Sequence, residues 1–432
     1  SFLNDVRNLI RACTHVKSNC NVTQSDFSFV RLEYRTTLGP LHYNLVSTVE
    51  GKQGFGKGEQ EWGYVTVRPY ARMFWWLYYT SAKDVTDAHD KPLVIWLQGG
   101  PGASSTGYGN FEELGPLDLD LKPRNFSWVN DYNVLFIDNP VGSGYSYVEK
   151  ASRLTKNNSQ IASDLLECMR GFLKEFPKFA NVPTYVTAES YGGKMAAEFA
   201  LVWYKAQMAG DIKSNLRGVA LGDSWISPID SVLSWASFLL QTGMVDTKGF
   251  QRIEKAASET KSAVDNEKWL RATELPILPS GRASQEERDV ILSNLMNTEV
   301  KKTLGVNVTW GAQSGMVFSK LSADFMKPVT DKVERLLNET DIEVFVFSGQ
   351  LDLIVATPGT LVWVENLKWR NSSEWHKAPR LPLGVDNVIE GYVKEYGNLK
   401  MYWINRSGHM VPKDNPAATT AMLKHLTAKK TF

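Results

Sequence analysis

Apolar and polar positions divide the chain into stretches of different texture. Residues 62–68 and 73–79 read as two strands joined by a Pro-containing turn. Residues 93–97 and 134–137 are compact apolar strands, and each runs into a glycine-rich loop, at 98–105 and 138–144. A helix is expected over 159–175, a strand over 184–187, a helix over 194–208 and a strand over 216–221. Short strands that are apolar throughout and separated by helices predict a mostly parallel central sheet with helices on both faces. The alternation breaks over 230–330, which is helical, charged and loop-rich, and reads as an inserted helical cap. It returns with strands at 342–347 and 399–404, and a helix over 416–428 closes the chain.

Residues 1–56 differ in texture from the rest of the chain. Phe2, Leu3, Val6, Leu9 and Ile10 form an amphipathic start, and residues 27–34 alternate as a strand does. Residues 51–58 are a glycine-rich connector that resembles a phosphate loop only superficially, because no helix opens after it. The expected organisation is therefore an N-terminal extension and linker (1–56), a core in two parts (57–229 and 331–432) and the cap between them (230–330).

Composition narrows the function. The chain has 432 residues, is 43% hydrophobic and carries a net charge of +1 with no long basic run. It is long enough to bury a large core, and nucleic acid is not expected as a partner. Apolar runs stay far short of the roughly 18 residues a membrane span requires. Cys13 and Cys20 are close enough to pair, which leaves Cys168 as a buried helical thiol. No Cys/His spacing suits zinc, so neither a metal nor another cofactor is expected. Sequons at Asn21, Asn125, Asn157, Asn307, Asn338, Asn371 and Asn405 suggest glycosylation in a secretory pathway. Residues 1–10 lack the apolar stretch of a signal peptide, so the numbering is expected to begin after processing of a secreted or lysosomal protein.

The chemistry centres on residues 183–197. Ala188-Glu189-Ser190-Tyr191-Gly192 is an almost complete G-x-S-x-G, set between a strand and a helix. Such a turn needs small residues two before and two after the serine, and it lifts the hydroxyl above the sheet. A serine needs a base, and the base needs an acid to hold its tautomer. Of six histidines, His409 alone follows a strand in a constrained Gly-His-Met-Val-Pro loop. Asp223 and Asp352 both end strands downstream of Ser190. Asp352 is preferred because its strand immediately precedes the histidine strand, and Asp223 reads as a structural acceptor in its turn. The N–H of Tyr191 and the bare backbone at Gly99-Gly100 are candidate oxyanion donors.

Five segments together resemble the serine carboxypeptidases: residues 96–102 (Trp-Leu-Gln-Gly-Gly-Pro-Gly), 113–116, 138–146, 189–193 and 408–412. Residues 73–79, 222–227 and 349–354 resemble in particular the retinoid-inducible branch. The likeness runs from about residue 58 to 426 and implies an α/β-hydrolase fold. It implies a triad of Ser190, Asp352 and His409, with Gly100 and Tyr191 as the oxyanion hole. It also implies that Trp96, Gln98, Gly99, Glu113 and Glu189 bind the carboxylate of a peptide with a free C-terminus. Two carboxyls forced together share a proton, and a protonated one can donate to that carboxylate, so activity is expected at acidic pH. Gln98 stands where the family usually has Asn, Ala103 stands where a Cys is common, and most of the family's disulfides are missing. Acyl transfer to a small molecule, or a catalytically silent binding role, are the alternatives on this fold.

Overall fold

The computed structural model describes residues 52–275 and 283–428. The readings over 1–51, including the Cys13–Cys20 pair and Asn21, lie outside the described residues. The frame is a 12-stranded sheet. Its first half comprises β1 (Lys52–Gln53), β2 (Glu59–Arg68), β3 (Ala71–Tyr78), β4 (Leu93–Leu97), β5 (Asn133–Ile137) and β6 (Tyr147–Val148). The second half comprises β7 (Thr184–Glu189), β8 (Leu216–Gly222), β9 (Glu343–Gly349), β10 (Arg380–Val385), β11 (Val388–Tyr396) and β12 (Leu399–Ile404). The strand order is β1-β2-β3-β5-β4-β7-β8-β9-β12-β11-β10, with β6 on β3. The run from β5 to β12 is parallel, and antiparallel strands flank it on both sides. This is the mixed sheet of an α/β-hydrolase.

Every residue of β4, β5, β7 and β9 is buried, as both-face coverage requires. β3 shows how the pleat divides the core: Met73, Trp75 and Leu77 face one helical layer, and Phe74, Trp76 and Tyr78 face the other. On the first face Trp75 meets Phe172 edge-on at 5.2 Å. Phe172 belongs to the helix Asn158–Glu175, whose Ile161, Leu165, Cys168 and Met169 are buried at helical spacing. Asn157 caps that helix by accepting from the Gln160 N–H at 2.9 Å. The helix Tyr191–Met208 packs on the same face, and Pro416–Thr427 covers the other.

Two differences from the sequence reading have simple causes. The sheet begins inside the segment expected to be a linker: β1 pairs with β2, and the Phe55 ring lies 5.9 Å from Phe111. Glycine content concealed this, because one aromatic and a two-residue strand carry no periodicity. The hairpin β10–β11 was not expected at all, since its outer faces are largely exposed and show no apolar alternation. Its local signal was the two-residue turn Asp386-Asn387, both with positive φ (48° and 65°).

The described residues between β8 and β9 are mainly helical, from Pro228–Gln241 to Thr330–Glu339. It is tied to the helix after β7 by a buried ion pair: Lys194 Nζ lies 2.9 Å from Asp324 Oδ2 and donates to the Lys327 carbonyl at 2.8 Å. Tyr191 Oη also donates to Asp324 Oδ2, at 2.8 Å. Burial lowers the Lys194 ammonium to about 8 against the pull of Asp324. Removing the carboxylate strands a buried cation. Asp324→Ala is therefore expected to lower the unfolding free energy by about 3–5 kcal/mol, measured by urea denaturation. A loss well under 1 kcal/mol would mean that the pair does not hold the insertion down.

Candidate active site

The parallel strands end in register, which gathers the loops that carry chemistry. Leu97 of β4 is level with Ala188 of β7, Glu189 with Gly222 of β8, Gly222 with Phe347 of β9, and Gly349 with Ile404 of β12. Gln98, Ser190, Asp223, Asp352 and the His409 loop thus rise from one edge of the sheet. Such carboxyl-terminal edges are where ligands bind in open α/β sheets.

Ser190 makes the turn between β7 and its helix with φ 63° and ψ −131°, a conformation a serine adopts only under constraint. Its N–H donates to the Gly222 and Asp223 carbonyls at 3.0 and 3.1 Å, and its carbonyl accepts from Trp225 N–H at 2.9 Å. The neighbouring loop lies tight against it. A Cβ on Gly99 would sit 2.5 Å from Ser190 Cβ and 3.0 Å from its Oγ, and one on Gly192 would sit 2.3 Å from the Leu97 carbonyl oxygen. Only glycine lets the 99–100 backbone come this close to the hydroxyl. Ala188 is fully buried and is accommodated in the strand.

Asp352 and His409 are joined. His409 Nδ1 and Asp352 Oδ2 are 2.8 Å apart, and Asp352 Oδ1 accepts from the Ile354 N–H at 2.8 Å. Asp352 is 1% exposed, so these donors take the place of water around its charge. With Nδ1 donating, Nε2 is left as the basic nitrogen. The loop is held by Gly408 N–H donating to Asp414 Oδ2 at 2.8 Å. Among the described residues the Ser190 hydroxyl forms no hydrogen bond, to His409 or to another group. Such contacts tighten when substrate binds.

Beside Ser190 lies a buried polar cluster. Trp96 Nε1 donates to Gln98 Oε1 at 2.7 Å, which turns both amide hydrogens the other way. Gln98 Nε2 donates to Glu113 Oε1 at 3.0 Å and to Glu189 Oε1 at 3.1 Å. Glu113 comes from a π-helical segment, Ser105–Leu114, that the sequence reading did not foresee because of its glycines. Both glutamates are almost wholly buried, and Glu113 Oε2 and Glu189 Oε2 have no donor. A proton shared between the two carboxyls would give both oxygens a partner. Burial raises the Glu113 carboxyl, and burial together with the Glu113 charge raises Glu189 well above the ordinary range.

The serine carboxypeptidase family model matches residues 51–276 and 278–429. The chain belongs to this family. The retinoid-inducible serine carboxypeptidase of Rattus norvegicus is 42% identical over 420 residues, covering 87% of this chain and 92% of the relative. The human protein of that name is 40% identical over 423 residues, with the same coverage. Serine carboxypeptidase-like 51 of Arabidopsis thaliana is 36% identical over 426 residues, covering 86% and 92%. Among solved structures, the prohormone-processing carboxypeptidase Kex1(Δ)p of Saccharomyces cerevisiae superposes with a TM-score of 0.73 at 21% identity. That match covers 87% of this chain and 93% of the yeast one, and it bears on the fold.

In this serine carboxypeptidase Trp96, Gln98, Glu113 and Glu189 form one hydrogen-bonded group and Asp352 and His409 form another, at the sheet edge that also carries Ser190. Sequence reasoning missed Glu112, whose buried carboxylate is held by Lys413 and by Arg288 at 3.3 Å. The acidic doublet Glu112-Glu113 was the available signal. It also treated Asp223 as a local acceptor, although its carboxyl reaches β9 and Asp352. Of the sequons, Asn125, Asn157, Asn307 and Asn338 are exposed, while Asn371 and Asn405 are partly buried.

The raised glutamates make stability depend on pH. The fold prefers the protonated pair, so that stabilisation is complete below the unfolded value of about 4.3. It is lost as pH rises through the pair's raised folded value. Glu189→Gln keeps a neutral side chain at every pH. The melting temperature of the variant minus that of the native enzyme is expected to increase from pH 4 towards neutrality (a range that brackets carboxyl titration at about 4 to 5). A difference independent of pH would contradict the shared proton.

Proposed function

We propose that this serine carboxypeptidase removes C-terminal residues from peptides through an acyl-enzyme on Ser190, at acidic pH. The observation that carries the reading is the Gln98 amide held between two buried carboxyls next to a strained serine. A substrate carboxylate needs donors, and an ionised glutamate pair would repel it. With one proton retained, the pair donates to that carboxylate, and the Gly99 backbone lies beside it. Gln98 fixes both carboxyls, and Trp96 acts by orienting Gln98.

A carboxylate anchored there places the preceding peptide bond over Ser190. The hydroxyl attacks the scissile carbonyl while His409 Nε2 takes its proton and Asp352 holds the imidazolium. The N–H groups of Gly100 and Tyr191 receive the oxyanion. As the tetrahedral intermediate collapses, His409 returns the proton to the leaving amine. Water then attacks the acyl-enzyme by the same route. Exposed sequons support a secreted or lysosomal, glycosylated enzyme, and the acidic pH proposed here fits such a compartment.

Ser190→Ala is expected to abolish labelling by a fluorophosphonate probe and to lower kcat/KM for a blocked dipeptide by about 10⁴-fold or more. Mass spectrometry of a longer peptide should show stepwise loss of C-terminal residues with the native enzyme. Labelling at the native level in the variant would remove Ser190 as the nucleophile.

A further inference from the structure

The proposed triad has a neighbour that its mechanism does not use. Asp223 follows β8 with a φ of 38° and is fully buried. Its carbonyl accepts from the Ser190 N–H at 3.1 Å, and its own N–H donates to Phe347 of β9 at 2.8 Å. Its carboxyl reaches across to β9: Oδ1 accepts from the Gly349 N–H at 2.8 Å. Gly349 in turn accepts from the Asp352 N–H at 3.0 Å, so one short loop links the two aspartates. Their carboxyls are in contact, yet Asp223 Oδ2 is buried without a donor. The nearby Ser348 hydroxyl is paired with Thr357 Oγ1 at 2.9 Å.

We propose that Asp223 is a positioning residue, whose protonated carboxyl donates from Oδ2 to Asp352 and keeps that carboxylate aligned on His409. This rests on the reading of Ser190, Asp352 and His409 as the triad. The location of the proton follows from the donors. Asp352 receives two N–H donors, from His409 Nδ1 and Ile354, whereas Asp223 receives one N–H donor, from Gly349. Hydrogen bonds to an ionised carboxyl favour its charge, so Asp352 keeps the charge and Asp223 the proton. The charged groups facing Asp223 are Asp352 and, from the end of β7, Glu189, with His409 behind Asp352. Burial, and then the Asp352 charge, raise Asp223 well above the ordinary range.

The bond has a purpose in an acidic enzyme. The Glu113–Glu189 pair works protonated, while the histidine must stay neutral to act as a base. A donor on Asp352 draws off part of its charge and weakens its hold on an imidazolium. Both requirements are then met in one pH range.

The test uses the rate of fluorophosphonate labelling of Ser190 against pH, which reports the base and bypasses carboxylate recognition. Asp223→Asn keeps an N–H donor and an acceptor for Gly349, and its acid limb is expected to match the native one. Asp223→Ala removes both, and its acid limb is expected to move up by about one pH unit, a roughly tenfold slower labelling at the acid end. Native-like limbs in both variants, or equal shifts in both, would overturn the proposal. If the alanine variant does not fold, the infrared difference between native and Asp223→Asn enzyme decides. A protonated-carboxyl band lost in the variant supports the proposal, and no such band refutes it. If the native enzyme is not labelled at Ser190, the triad reading fails instead.

Discussion

Two carboxyls buried against each other beside Ser190 are the constraint around which this site is arranged. Glu113 and Glu189 come from separate parts of the sheet edge and meet over one amide, that of Gln98. Water cannot reach them to share the charge, so two ionised groups there would be costly. Trp96 fixes the amide and the amide fixes the carboxyls; the single proton proposed above would complete the set and avoid that cost. On that reading, what would be a defect in an ordinary core becomes a neutral donor aimed at an anion.

The same constraint joins recognition to chemistry. Glu189 and Ser190 are consecutive, the last residue of β7 and the first of the turn. Gly99 touches both, since a side chain there would strike the Glu189 carbonyl and the Ser190 side chain. In the proposed function, a ligand carboxylate held by Glu189 would lie within one residue's reach of the hydroxyl. Placement of this kind would limit cleavage to a bond next to a chain end. The elbow strain at Ser190 persists because strands on both sides and the Gly99 loop over-determine it.

Much of this was legible in the sequence, for reasons that vary by residue. Short, largely apolar runs marked β4, β5 and β9 because both faces are covered. The Ser190 turn was visible because its demands are local: small residues, a strand before and a helix after. His409 was picked out by its loop and Asp352 by its place after the strand that precedes the histidine strand, and the two are hydrogen-bonded. The hairpin β10–β11 was lost because exposed strands carry no hydrophobic signature. The contact of Asp223 with Asp352 was lost for a different reason. It joins strands whose residues lie more than a hundred positions apart, and no spacing rule reports a contact across a sheet. Residues set by local turn and loop patterns were thus easier to read than the contacts across the sheet that surround them.

The decisive comparison sets kcat/KM for a peptide with a free C-terminus against the same peptide amidated, across pH from about 4 to 8 (bracketing carboxyl titration). If a shared proton recognises the substrate carboxylate, preference for the free acid is greatest at low pH and falls as the pair ionises. In Glu189→Gln, where no such ionisation occurs, the preference should not vary with pH. A native preference that holds constant from acidic to neutral pH would contradict recognition by a shared proton.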